Sequence, residues 1–161
     1  MKKLFLLISF VSLTMLGFSQ SKQSDKIISI HLLNYMDDEA LEVLSSQLDG
    51  LQEKGINQIF LEVDYHFEFT SHPELISPTF ITKEGAQKFA TACKTHRIKI
   101  IPQFQSLGHQ SWAENTWELL TVYPELDLTP GAFADNKDIY CREWDPMNPR
   151  VNEIVFPMIE E

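Results

Sequence analysis

The sequence predicts an α/β fold, the opening part of a (β/α)8 barrel with its first three βα units, and three observations carry that expectation. Apolar, β-branched segments alternate with amphipathic helical ones. Polar and aromatic residues gather after each of the three apolar segments, and the first strand-to-helix turn has no glycine fingerprint. Such alternation implies parallel strands joined by right-handed crossovers. A doubly wound open sheet fits it too, but the missing glycine loop and the polar residues at one end of all three strands favour the barrel.

The elements follow in order. Lys2 and Lys3 precede an apolar run from Leu4 to Phe18 and the small-residue site Gly17-Phe18-Ser19, which reads as a signal peptide over 1–19 with a polar linker over 20–25. The run is shorter than the ~20 apolar residues of a spanning helix, so the expectation is a secreted or periplasmic protein with no membrane partner after cleavage. Residues 26–35 read as a strand buried on both faces. Asp37 and Asp38 offer an N-cap to a helix whose Leu41, Leu44, Leu48 and Leu51 share a face, and Lys54-Gly55 ends it. Residues 56–69 form the second strand, apolar at first and polar and aromatic towards its end. After a loop with Pro73 and Pro78, Thr82 opens a helix with Ala86, Phe89, Ala90 and Cys93 on one side. Residues 98–104 are the third strand, and after a long loop 149–161 begin a third helix. Less than half of a barrel is expected in this chain.

Charge and motifs narrow the function. The 161 residues carry 13 Lys and Arg against 23 Asp and Glu, a formal charge of −10 without a basic cluster, so nucleic acid and anionic membranes are poor partners. The Cys-x-x-Cys, His-Glu-x-x-His and Gly-x-x-x-x-Gly-Lys motifs are all missing, and neither a metal nor a cofactor is expected. Cys93 and Cys141 are the two cysteines, and spacing leaves their pairing open.

Asp64, Tyr65, His66 and Glu68 end the second strand, and Gln103, Gln105, His109 and Trp112 follow the third; parallel strands bring such groups to one face. Planar hydrogen-bonding side chains together with aromatic faces suit a sugar, and Trp112, Trp117, Tyr123, Phe133 and Trp144 supply aromatic area. His109 follows Gly108, which allows a sharp turn, and is favoured as a site residue. Asp64 is placed between a site role and a turn cap, and Glu62 between a barrel-layer role and a site role. His31, His72 and His96 read as structural. So do Trp117, Leu119 and Leu120, the turn Tyr123-Pro-Glu-Leu, and Trp144-Asp145-Pro146 ahead of the last helix.

Ile100 to His109, read Ile-Ile-Pro-Gln-Phe-Gln-Ser-Leu-Gly-His, followed by Tyr123-Pro124-Glu125-Leu126, resembles the catalytic barrel of glycoside hydrolase family 20, the β-N-acetylhexosaminidases, over 27–161. The resemblance implies exo-acting, retaining hydrolysis in which the substrate's 2-acetamido oxygen attacks the anomeric carbon, a Glu protonates the leaving oxygen and an Asp orients the acetamido group. The family's Asp-Glu pair follows the fourth strand, so the resemblance places the catalytic residues beyond Glu161 and implies that this chain alone is inactive. Glu160 and Glu161 read as a solvated helix face. The family's Glu and Asp on the third strand stand here as Gln103 and Gln105, its Pro as Leu107, and its first-strand Arg as Asn34. Candidate carbohydrate contacts are therefore His109, Asp64, Gln103, Gln105, Trp112 and Asn34. Two rivals remain: a non-catalytic carbohydrate-binding barrel, and an amidase or deacetylase with His109 and Asp64 around a metal.

Overall fold

The computed structural model describes residues 26–106 and 108–161; the expected signal peptide, the linker and Leu107 lie outside the described residues. Three strands, β1 (Ser29–Leu32), β2 (Gln58–Glu62) and β3 (Lys99–Gln103), form a parallel sheet in the order β1-β2-β3. All three are shorter than the sequence predicts. Beyond β2 the chain turns at Asp64, in the left-handed region at φ 37, so Tyr65, Phe67 and Phe69 leave the sheet although their alternation resembles a continuing strand. Ser29 and His31 of β1 are exposed rather than buried on both faces, because β1 is an edge strand covered on one side only.

The first predicted helix is two. Asp37 caps α1 (Asp38–Ser45) by accepting the Ala40 N–H at 2.8 Å, and α2 (Leu48–Glu53) follows. Between them the Ser45 and Ser46 hydroxyls donate back to the Leu41 and Val43 carbonyls at 2.8 and 2.6 Å, competing with the helix ladder where it breaks. Gly55, at φ +81, takes the left-handed position that ends the run. The Thr82 hydroxyl accepts the Gly85 N–H at 2.9 Å and opens α3 (Lys83–Thr95). The Asp38 carboxylate in turn accepts the Thr82 N–H at 2.9 Å and its hydroxyl proton at 2.7 Å, locking the start of α1 to the start of α3.

Leu41, Leu44 and Leu48 pack with Phe89 and Cys93 against Ile59 and Leu61 of β2, so α1, α2 and α3 lie on one face of the sheet. A doubly wound sheet would carry helices on both faces; a barrel carries them on one. After β3 comes a short hairpin, β4 (Ser111–Trp112) with β5 (Asn115–Thr116), then α4 (Glu118–Val122) and finally α5 (Pro149–Glu160), capped by Asn148. Val151, Ile154, Val155 and Met158 of α5 bury against Leu119, Leu120, Leu126 and Trp144, a second core built from the loops. Pro124 turns the chain after α4, and Trp144, 3 % exposed, is structural as expected.

Glu160 and Glu161 are both exposed, as the solvated-face expectation has it, but Glu161 also bonds to the loop after β2. Its carboxylate accepts the Ser71 N–H at 2.6 Å and the Thr70 N–H at 2.8 Å and pairs with Lys83 at 3.0 Å, and these donors hold it down to about 2. Cys93 and Cys141 are both free, and burial pushes the Cys93 thiol up to about 11. Among the described residues no helix is long and apolar enough to cross a membrane.

Candidate functional site

Strand register builds the site. His31, Phe60 and Ile101 form one row across the sheet, and Glu62 stands beside Gln103 in the row nearest the C-terminal ends. Because side chains alternate along a strand, the burial of Ile59 and Leu61 under the helices sends Phe60 and Glu62 to the opposite face, the interior side of a barrel. One Glu62 carboxylate oxygen accepts from both the Gln103 and Gln105 side-chain amides, each at 3.3 Å. Glu62 thus lies on the interior face in the last row of the sheet, a position compatible with both of the roles left open for it. Acids at 103 and 105 would set like charges around Glu62, whereas the two amides supply donors to it.

Asp64 lies next to this group and is 7 % exposed. Its Oδ1 accepts the Gln105 N–H at 2.7 Å, so it ties the end of β2 to the end of β3 instead of capping its own turn. Burial pushes the carboxyl up to about 7; the Gln105 N–H pulls it down, and the Glu62 and Glu118 charges push it up further. A cavity of about 140 Å³ opens here, lined by Met36, Glu62, Asp64, His66, Trp117 and Glu118. Ligand sites run to ~300 Å³ or more, so this space is small by comparison. A larger cavity of about 380 Å³ is apolar and lies among helix-face residues such as Phe89, Ala90 and Ile159, away from the polar cluster.

The rest of the predicted set divides. Tyr65 is a core residue whose hydroxyl donates to Gln110 at 2.6 Å; burial raises its pKa, as do the Asp64 and Glu118 charges. Glu68 faces α3, where it accepts the Lys83 N–H at 2.8 Å, and leaves the cluster. Asn34 is exposed at φ 65, and the loop after β1 sends Met36 into the cavity in its place. His109 and Trp112 stack on each other at 6.3 Å, outside the cavity lining. Asp64 is bonded to the Gln105 N–H and His109 packs on Trp112, and among the described residues there is no cluster of three or more His, Cys, Asp or Glu suited to a metal. The chain bends at Gly108, His109 beside it is left-handed at φ 57, and a Cβ on Gly108 would lie 3.4 Å from Glu143 Oε1.

Sequence reasoning passed over four residues. Glu118 reaches the cavity from α4 and accepts the Ser77 hydroxyl proton. Gln110, 0 % exposed, accepts from Tyr65 and donates to the Gln105 carbonyl at 3.0 Å. Arg142 pairs with buried Asp127 at 2.6 Å and donates to the Ala132 and Phe133 carbonyls at 3.1 and 2.8 Å, holding the long loop from inside. Tyr140 packs on His109 and Trp112. Only Arg142 left a trace, as one of few cations in a long acidic stretch.

In fold the chain is similar to part of solved glycoside hydrolases. One is a noncanonic maltogenic alpha-amylase, AmyB from Thermotoga neapolitana, at TM-score 0.58 and 15% identity, covering 85% of this chain and 36% of that one. Another is a glycoside hydrolase family 20 beta-N-acetylglucosaminidase, at TM-score 0.53 and 13% identity, covering 81% of this chain and 33% of that one. The chain thus spans about a third of the length of the structures it matches. No family model matches it. No curated protein matches it either.

Proposed function

We propose that this chain is the first part of the catalytic barrel of a glycoside hydrolase acting on β-linked N-acetylhexosamine. The observation that carries the reading is Glu62, whose carboxylate gathers the Gln103 and Gln105 amides at the C-terminal ends of adjacent parallel strands beside buried Asp64. Barrel enzymes hold their sites at this end. Carboxylates and amides held together at the strand ends suit sugar hydroxyls, and the narrow cavity suits an exocyclic group. The resemblance from Ile100 to Leu126 supplies the rest: the substrate's acetamido oxygen attacks the anomeric carbon, and a Glu beyond Glu161 protonates the leaving oxygen. In this reading Glu62, Asp64 and Gln105 orient the sugar and do no proton transfer.

The test uses the whole protein. Its coding sequence past Glu161 is expected to continue into a strand ending in Asp-Glu, and the protein to release aryl alcohol from an aryl N-acetyl-β-glucosaminide. Asp64→Asn is expected to lower kcat/KM by about tenfold or more, as loss of an orienting group does. Turnover of an aryl α-maltoside instead would move the substrate class to that of the amylase-like neighbour. Binding without turnover would select the non-catalytic barrel, the rival that the Gln103 and Gln105 replacements favour. No binding and no turnover on either sugar would overturn the glycoside reading.

A further inference from the structure

We propose that His109, Trp112 and Tyr140 form an aromatic platform that binds the apolar face of a second pyranose ring, at the rim of the site. The proposal rests on the glycoside reading and names a further sugar contact within it. Trp112 is 56 % and Tyr140 73 % exposed, yet the three rings are mutually packed: His109 on Trp112 at 6.3 Å and 30°, Tyr140 edge-on to His109 at 5.5 Å and to Trp112 at 5.7 Å. Exposed aromatics that hold one another upright present a fixed apolar surface at small entropic cost on binding.

The mount is rigid. Gln110 and Ser111, between His109 and Trp112, are buried; the Gln110 N–H donates to the Arg142 carbonyl at 2.8 Å, and the Ser111 hydroxyl accepts the Arg142 N–H at 2.7 Å. His109 at φ 57 and Ala113 at φ 49 are left-handed on either side of the segment, a backbone cost of ~1 kcal/mol or more each that the packed base sustains. Gln110 also donates to the Gln105 carbonyl, so one hydrogen-bonded chain joins the platform to the residue that contacts Glu62.

The chemistry selects a neutral sugar. The Arg142 guanidinium commits four of its five N–H donors to Asp127, Asn136 and two carbonyls, the Asp127 carboxylate neutralises its charge, and the formal charge of the chain is −10. A pyranose offers such rings a C–H face, with hydroxyls at its edge for the His109 ring and the Tyr140 hydroxyl.

The experiment is an NMR titration of the whole protein with N-acetylglucosamine, N,N′-diacetylchitobiose and maltotriose, following the Trp112 indole N–H and the Gln105 backbone N–H. The expected result is that the disaccharide moves both signals and binds about tenfold tighter than the monosaccharide, which moves Gln105 alone. Trp112→Ala and Tyr140→Ala should each erase that tenfold advantage and leave monosaccharide binding in place. Two separate variants guard against a folding defect in either, and an unchanged far-UV circular dichroism spectrum is required of both. Disaccharide affinity unchanged within twofold in both variants would overturn the platform while the glycoside reading stands. Failure of every sugar to move the Gln105 signal would overturn both.

Discussion

At the residue scale the central fact is a carboxylate kept out of water. Asp64 has one strong hydrogen bond, from the Gln105 N–H, and two acidic neighbours, and burial outweighs that bond so that its carboxyl titrates near 7. The folded chain therefore keeps a proton that the unfolded chain gives up at ordinary carboxylate pH. The contribution of Asp64 to stability is full below about pH 4, falls as pH climbs from there to about 7, and levels off above it. Asp64→Asn retains an oxygen for the Gln105 N–H and removes the ionisation. It should abolish that slope and stabilise the chain at pH 8 by about 1–4 kcal/mol, read from urea unfolding at pH 4.5 and pH 8. An unchanged slope would move the titration to another group. The sequence alone places Asp64 at a strand end, but the cavity beside it is closed in part by Trp117 and Glu118, more than fifty residues further along.

At the scale of elements the joint between α1 and α3 matters most. Asp38 is a first-turn residue of α1, yet both its oxygens serve Thr82, the N-cap of α3. Gly85 is the space this needs, since a Cβ there would lie 2.0 Å from Asp38 Oδ1. In open solvent Gly→Ala in a helix is favourable by about 1 kcal/mol; here the methyl evicts the carboxylate from two hydrogen bonds. Gly85→Ala should destabilise the wild-type chain by about 1–2 kcal/mol and stabilise an Asp38→Ala chain. Chemical denaturation of the four chains of that cycle checks the change of sign; additive effects would mean the side chains do not meet. Both helix starts were legible from Asp37 and Thr82. The bond between them was not, because it joins residues forty-four positions apart.

At the scale of the whole molecule, β1 and β3 are the edge strands of the sheet among the described residues, and its barrel-interior face is only partly covered there. Lys99 donates its N–H to Asn57, and Gln103 accepts the Val63 N–H through its carbonyl, so the odd residues of β3 bond to β2 and Pro102 turns its backbone to the open side. A proline there withholds one donor from any strand that docks, which restrains edge-to-edge association. Pro102→Val should raise the self-association of the 161-residue chain several-fold, measured by light scattering against concentration. An unchanged scattering curve would mean the β3 edge is covered by something else. What the sequence determined by itself is local: the order of strands and helices, the caps at Asp37, Thr82 and Gly55, and the parallel alternation, all set by residues within a turn or two of each other. The tertiary structure alone decided which face carries the helices, that Glu62 turns inward to meet Gln103 and Gln105, that Glu68 leaves the site and that Tyr140 joins His109 and Trp112. Strand register and loop packing bring together residues distant in sequence, and no short-range pattern encodes such meetings.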